Sequence, residues 1–211
     1  MTSSTSNYIA TSIVPPDESD DLELPGLHAL SILYDRIKNC QRCDLAKGRT
    51  QVVFGTGNSE FPDIAFVGDV SSKAEDAEGF PFLGAPGALL DKAIVALEYQ
   101  RADVYLTNAV SCVANRTPHA EEVSACRPVW QSQLIAVQPK VIVALGQLAG
   151  NAVLETALDL RELRGKWWEW RGFPVRVTYT PAYVARTDSA KSVFWDDLLQ
   201  VKGKLAEVRG T

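Results

Sequence analysis

The chain has 211 residues, of which 46% are hydrophobic and 22% charged, and this composition is typical of a soluble globular protein. No apolar stretch approaches the roughly 20 residues that a membrane-spanning helix needs, so we predict no membrane insertion. Residues 1–10 lack the basic and apolar regions of a secretory signal, and we therefore expect a cytoplasmic protein.

The net charge of −5 is concentrated at the N-terminus. Residues 1–24 carry five acidic side chains and no basic one, so the rest of the chain is neutral overall. We predict that residues 1–24 form a disordered tail and that residues 25–211 form one folded domain. Residues 161–191 have a local excess of basic side chains, which fits either a phosphate-binding surface or a solvated face of mixed charge.

From Pro25 onward, helical and strand patterns alternate along the chain. Apolar residues at helical spacing predict helices, and short apolar runs predict buried strands. In chain order we predict a helix at 27–38, a strand at 63–68, a helix at 88–99, a strand at 104–108, a helix at 121–137, a strand at 140–146, a helix at 147–158, a strand at 175–179 and a helix at 189–208.

This alternation is typical of parallel strands joined by right-handed helical crossovers. We therefore predict a three-layer α/β/α sandwich with a central four-stranded parallel sheet. Ligands of such sheets bind beyond the carboxyl ends of the strands. We expect the functional site at the four predicted strand ends, which carry Gly68, Asn108, Gly146 and Thr180.

The cysteines are spaced as C-x2-C and, much later in the chain, C-x13-C. Such a set fits either a four-thiolate zinc site or an iron-sulfur cluster that ties two distant segments together. Disulfides are a weaker alternative because no secretory signal is seen. A redox C-x-x-C is another alternative, but the motif does not lie between a strand and a helix. The only cysteines of the chain are Cys40, Cys43, Cys112 and Cys126.

Further motifs follow the predicted strands in a defined order. They are Gly68-Asp-Val-Ser-Ser72, Gly79-Phe-Pro-Phe-Leu-Gly84, Thr107-Asn108, Asn115-Arg-Thr-Pro118, Val141-Ile-Val-Ala-Leu-Gly146 and Thr178-Tyr-Thr-Pro181. Together with the cysteine spacing, this order resembles the iron-sulfur uracil-DNA glycosylases called family 4, from about Leu27 to Val201. The resemblance implies the uracil-DNA glycosylase fold and a [4Fe-4S] cluster on the four cysteines. It also implies that a monomer binds uracil-containing DNA and excises the flipped base.

The resemblance also implies roles for individual residues. Phe82 would stack on the flipped uracil, and Asn108 would hydrogen-bond to its O4 and N3–H edge. Asp69 would orient or deprotonate a water and stabilise positive charge on the deoxyribose. Val70 and Glu75 would contact the substrate near this acid. A core phenylalanine, a turn-capping asparagine and solvated loop acids are the alternatives.

The chain departs from the family pattern at two places. Val70 and the two serines after it replace small and Pro-Gly positions, and Asp69 is one methylene shorter than the family's Glu. Thr180 stands where the family has a histidine that donates to uracil O2 as the base leaves. Loss of one such donor typically costs about 100- to 1000-fold in rate, so we expect slow excision. We expect His28 to be a surface residue and His119 to be a solvated loop residue, although the latter could reach the site.

We predict that residues 181–186 form a loop that enters the minor groove. Arg116, Arg186 and Lys191 would bind the DNA, the last two on its phosphates. We interpret the tryptophans at 167, 168, 170 and 195 as core and interface packing. Two other functions stay open. One is a DNA-binding protein of this fold with weakened chemistry, and the other is a glycosylase for a different modified base.

Overall fold

A computed structural model describes residues 26–209 of the chain, so the predicted tail lies outside the described residues. In chain order the elements are α1 (Leu27–Ile37), β1 (Thr56–Gly57), β2 (Ile64–Ser71), α2 (Lys73–Glu78), α3 (Gly84–Ala96), β3 (Tyr105–Val113), α4 (Ala120–Val137), β4 (Val141–Leu145), α5 (Gln147–Leu154), α6 (Leu160–Leu163), β5 (Trp167–Trp170), β6 (Phe173–Thr178), α7 (Pro181–Arg186) and α8 (Ser189–Arg209). Between residues 26 and 209, no helix combines the length and the apolar character that a bilayer span requires.

The strands form one mixed sheet in the order β1-β3-β2-β4-β6-β5. The four inner strands β3, β2, β4 and β6 are parallel, which confirms the predicted central sheet. Two antiparallel edge strands, β1 and β5, were missed by the prediction of a four-stranded sheet. The first has only two residues. The second is a run of tryptophans whose sequence shows no clear strand periodicity.

Helices cover both faces of the sheet and give it the predicted three layers. Helices α1, α4 and α5 pack on one face, where Ala65 and Val67 of β2 belong to the core. Helices α3, α7 and α8 pack on the other face, where Ile64 and Phe66 lie. Successive residues of β2 therefore alternate between two buried cores, which explains why the inner strands are apolar without a polar face.

Two inner strands continue past their predicted ends. Strand β2 extends to Ser71 and β3 to Val113, so Gly68 and Asn108 lie within the ladder and pair with each other. The sequence hid this extension because polar residues are uncommon in buried strands. Here such a residue has a partner: the Ser71 hydroxyl donates to the Val110 carbonyl at 3.0 Å. The strand-end expectation was wrong for these two positions.

The segment 181–186, predicted as a loop, is the short helix α7. Thr180 caps its N-terminus, and Pro181 occupies the first helical position, where its missing N–H costs nothing. Helix α7 packs against α3 and α8. The loop prediction was therefore wrong, and the segment beyond β6 is held by regular structure.

Candidate active site

An aromatic ring and an amide meet above Gly68 on the α3 side of the sheet. A Cβ added at this glycine would collide with Asn108 Oδ1 and would lie 2.8 Å from Phe82 Cζ. Glycine is therefore required for this close approach. Phe82 and Asn108 are both largely buried. The two side chains predicted to recognise a base lie together, although they come from different elements.

The backbone at Phe82 is held in an unusual conformation. Its φ is +56°, in the left-handed region that a bulky residue rarely adopts. The Glu75 carboxylate accepts hydrogen bonds from the N–H groups of Phe82 and Ser72, and the Phe82 carbonyl accepts from Arg101 Nη2 at 3.2 Å. Glu75 is only 6% exposed, so it is not a solvated loop acid. Its carboxylate fixes the loop that presents the aromatic ring.

The Asn108 amide is oriented by Ser71, one of the two serines that replace the Pro-Gly of the family motif. Asn108 Nδ2 donates to Ser71 Oγ at 3.2 Å, and this hydroxyl donates in turn to the Val110 carbonyl at 3.0 Å. Within residues 26–209 the second amide hydrogen and Oδ1 make no other hydrogen bond. Only the pairing of β2 with β3 brings these groups together, so the departure from the motif marked Ser71 but did not show its contact with Asn108.

Asp69 points to the opposite face of the sheet from Asn108, because successive strand residues alternate. Its Oδ1 accepts from the Ala149 N–H at 2.7 Å, in the first turn of α5. A Cβ added at Gly146 would overlap the carboxylate, so this glycine makes room for it. Burial raises the pKa of Asp69 to about 6, and the hydrogen bond from Ala149 only partly offsets this effect.

A cavity of about 710 Å³ lies on this face, between the N-terminal part of α4 and α5. Asp69 lines it together with Val70, Arg116 and Gln147. Val70 also packs against the apolar residues around Cys112. The structure thus places Asp69 and Val70 beside this cavity, whereas Phe82 and Asn108 lie across the sheet.

Thr180 lies just beyond β6, close to the end of β4, since the Gly146 N–H donates to the Thr178 carbonyl at 2.9 Å. Its Oγ1 accepts from the Tyr183 N–H at 3.1 Å. The hydroxyl keeps its hydrogen, so it can cap α7 and donate to a ligand at once. His28 and His119 are both exposed; the former is the predicted surface residue, and the latter directly precedes α4.

Two of the three predicted DNA-binding cations make ion pairs within the protein. Arg116 donates to both oxygens of Glu122 at 2.7 Å, and the pKa of this carboxyl falls to about 2, mainly because of that bond. Lys191 binds Asp188 at 2.6 Å, with both side chains exposed. Arg186 is exposed in the last turn of α7. The exposed pair of Lys191 with Asp188 can exchange partners at little cost, whereas Glu122 is buried and also accepts from the His119 N–H.

A buried charged network behind Thr180 was missed by the sequence reasoning. The Asp197 carboxylate accepts from Arg164 Nη2, Arg176 Nη2 and Thr178 Oγ1, each at 2.7 Å. Arg176 Nε and Nη1 are buried and have no hydrogen-bond partner within the described part of the chain. The network holds two guanidinium groups and one carboxylate. An arginine within the apolar β6 was its only sequence signal.

The four cysteines gather at one corner of the molecule. Cys40 and Cys126 pack against one small apolar cluster, and Cys43 and Cys112 pack against its neighbour. Arg49 bridges the two segments: its Nη1 donates to Cys112 Sγ at 3.3 Å, and its Nη2 donates to the Cys40 carbonyl. All four are free thiols, so the structure does not support the disulfide alternative.

The thiols at this corner affect one another's ionisation. The pKa of Cys126 is raised to about 11, mainly by burial and to a smaller extent by charge on Cys112 and Cys40. Burial likewise raises the pKa of Cys112. Both would remain thiols unless a metal stabilised the thiolates. Among residues 26–209, no three Cys, His, Asp or Glu side chains are arranged to hold a single metal ion.

Comparison with known proteins gives a consistent result. The family model for the uracil DNA glycosylase superfamily matches residues 54–199. The type-4 uracil-DNA glycosylase of Pyrobaculum aerophilum is 38% identical, over 82% of this chain and 93% of the relative. Those of Saccharolobus solfataricus and Archaeoglobus fulgidus are 33% and 35% identical. They cover 84% and 83% of this chain, which spans 87% and 92% of their respective lengths.

Proposed function

Because the chain belongs to the uracil-DNA glycosylase superfamily and to its type-4 group, we propose that it excises uracil from DNA by hydrolysing the N-glycosidic bond. The observation that carries this proposal is the meeting of the Phe82 ring and the Asn108 amide above Gly68. An aromatic face suits a planar base, and an amide suits its Watson–Crick edge. The substrate is then a nucleotide flipped out of the DNA.

Asn108 selects uracil by two hydrogen bonds. Its Oδ1 accepts from N3–H, and the amide hydrogen not used by Ser71 donates to O4. Cytosine presents an acceptor at N3 and a donor at C4, so both bonds would become repulsive. Phe82 stacks on the ring and is held in place by Glu75, which therefore acts through Phe82 rather than on the sugar.

Asp69 serves the sugar. It directly follows Gly68 in β2, and it lines a cavity with room for water. There it accepts a proton from the water and stabilises the positive charge that develops on the sugar.

Thr180 is the donor for the leaving base. Its hydroxyl hydrogen is not used in capping α7, since the hydroxyl oxygen is the acceptor of that bond. It therefore donates to uracil O2 as negative charge develops there. A neutral hydroxyl stabilises an anion less than a longer, more polar imidazole would, so excision is slow.

Cys40, Cys43, Cys112 and Cys126 would hold a [4Fe-4S] cluster, which takes four cysteine thiolates as its ligands. The gathered thiols and the hydrogen bonds to Cys112 and Cys126 fit this donor set. When bound, the cluster supplies iron–sulfur bonds that join the segment after α1 to β3 and α4.

A base-release assay tests the proposed function. Wild type should release uracil from single- or double-stranded DNA, and hypoxanthine-containing strands test the alternative of another base. Asn108→Ala should leave binding to undamaged DNA nearly unchanged, because phosphates carry the nonspecific affinity. It should reduce discrimination for uracil by about 1 to 3 kcal/mol. Binding without release of either base would favour the DNA-binding alternative.

A further inference from the structure

The basic segment 161–191 is divided by the fold into parts with different surroundings. Its residues form α6, the β5–β6 hairpin, α7 and the start of α8. Strand pairing runs from Trp167 with Arg176 to Trp170 with Phe173, so the hairpin turn lies at the end of the sheet away from Thr180. Arg164 and Lys166 lie at the Thr180 end, and Arg171 lies in the distant turn.

A cavity of about 320 Å³ opens at the Thr180 end of this hairpin. It is lined by Leu160, Arg161, Arg164, Gly165 and Tyr179. Tyr179 directly precedes Thr180, so the cavity adjoins the proposed active site. Arg161 is exposed and makes no ion pair with another residue between 26 and 209.

The side chains that line and support this cavity carry more positive than negative charge. Arg164 uses its Nε and Nη2 on Asp197, which it shares with the buried Arg176. Arg164 Nη1 makes no hydrogen bond with the residues that the structure describes. One carboxylate faces two guanidinium groups, and a buried uncompensated charge is costly. An anion in the cavity would offset that cost.

Tyr179 is not free to stack on a base. The Arg164 guanidinium lies 4.3 Å from its ring centre, and the Tyr183 ring packs against it with centroids 5.0 Å apart. Because these neighbours cover the faces of the ring, only the edge of Tyr179 lines the cavity. A ligand here is therefore held by guanidinium donors, which suit phosphate oxygens.

We propose that this cavity binds a backbone phosphate of the DNA strand, next to the nucleotide that occupies the active site. Arg161 and Arg164 Nη1 are its donors. The site rests on the proposed function only in that its ligand is DNA. It differs from the minor-groove contacts expected of α7, because its residues come from α6 and the segment before β5.

The chain offers a matched control for this phosphate site. Arg171, like Arg161, is an exposed arginine of the same basic segment. It lies in the hairpin turn, where its guanidinium is 5.3 Å from the Trp170 ring centre. Neither arginine belongs to the Asp197 network, so Arg161→Gln and Arg171→Gln should both fold and change the net charge equally.

The test is the salt dependence of DNA binding by the full chain. Dissociation constants would be measured by fluorescence anisotropy between about 50 and 200 mM salt, on uracil-containing and uracil-free strands. Arg161→Gln should lower the slope of log K against log salt by about 1. It should weaken binding about 3- to 10-fold at the lowest salt, equally on both DNAs, because phosphate contacts carry no sequence information. Arg171→Gln should stay within about twofold of wild type.

The outcomes separate this inference from the proposed function. Equal effects of the two substitutions, or no effect of Arg161→Gln, would overturn the phosphate site even if wild type releases uracil. An Arg161-specific loss of affinity and salt slope would support the site even if no base is released. In that second case the release assay alone would reject the glycosylase proposal, and the phosphate site would stand.

Discussion

At the scale of single residues, Asp69 is held where its charge is disfavoured. Burial raises its pKa to about 6, although the Ala149 N–H stabilises the carboxylate. The proposed chemistry needs the ionised form, both to accept a proton and to stabilise a cationic sugar. A carboxyl with this pKa changes its ionisation between about pH 5 and 7, which is where catalytic groups are most effective.

Excision should therefore depend on pH through Asp69. The single-turnover rate should rise about tenfold per pH unit below pH 6, because the carboxylate fraction rises with pH, and should level off above about pH 7. Asp69→Asn keeps an oxygen for Ala149 but cannot take a proton, so it should abolish excision at every pH. A wild-type rate that is constant from pH 5 to 7 would contradict this assignment.

Thr180 is the second residue whose chemistry can be tested alone. Replacement by His should raise single-turnover excision by at least ~10-fold, about 1.4 kcal/mol of barrier, because imidazole is the stronger donor to the leaving uracil. DNA affinity should change little. The melting temperature should fall slightly, since the hydroxyl that caps α7 is lost at a cost of about 1 kcal/mol.

Thr180→Val is the matched control, because it keeps the shape of threonine without the hydroxyl. It should lose the cap as Thr180→His does, and it should excise more slowly than wild type. If Thr180→His is inert while wild type is already fast, the leaving group has another donor. His119 would then be the next residue to substitute. If neither protein releases base, the DNA-binding alternative is the better one.

Among the helices and strands, the sequence predicted those in which buried residues recur at a regular helix or strand spacing. The inner strands and the longer helices were found because apolar residues recur at strand or helix spacing. The missing parts depend on tertiary partners. Arg176 is tolerated in β6 only because Asp197 approaches from α8, and Glu75 is buried only because the Phe82 and Ser72 N–H groups need an acceptor. No local pattern contains such partners.

The candidate site could also be predicted only in part. Motif order indicated Phe82 and Asn108 as the proposed base-binding pair, and the structure brings the two side chains together. The side of the sheet on which Asp69 lies could not be read from the motif, because the motif was taken as a loop after the strand. Its position within β2 determines that side, through the alternation of strand residues.

The loop between α2 and α3 should be sensitive to Glu75. Glu75→Ala leaves two N–H groups without an acceptor, at about 1 to 3 kcal/mol each, and releases the strained backbone of Phe82. We expect excision to fall at least ~10-fold while affinity for undamaged DNA is retained. The measurement is the single-turnover excision rate of Glu75→Ala, together with its affinity for uracil-containing and undamaged DNA.

Asp76 supplies the control for that substitution. It is the adjacent buried acid, and it accepts instead from the Thr50 N–H at 2.9 Å. Asp76→Ala should therefore lower stability without a specific loss of uracil discrimination. If the two variants lose discrimination equally, Glu75 has only a general structural role.

At the scale of the whole molecule, the cysteine corner joins parts of the chain that are far apart in sequence. It links the turn after α1 to β3 and α4, and Arg49 already bridges the two sides. Bonds from iron to these sulfurs would stabilise the fold by restricting the unfolded chain and by holding buried thiolates.

Purified protein should be brown and contain about four iron atoms per chain, as expected for a cubane on four thiolates. Cys112→Ala should lose both the iron and the absorbance of the cluster, and its solubility and melting temperature should fall together. Arg42→Ala, an exposed change between the first two cysteines, should keep the iron. Stoichiometric zinc without iron after anaerobic purification would contradict the cluster.

The distance between the cysteine pairs also sets an order of events while the chain is being made. Cys40 and Cys43 leave the ribosome first, and their partners follow only when Cys126 has emerged. At typical synthesis rates the first pair waits roughly 4 to 17 seconds. During that time helix α1 lacks α4, against which it packs, and two thiols are open to oxidants and stray metals. The first two thiols therefore need protection until Cys112 and Cys126 complete the set of four.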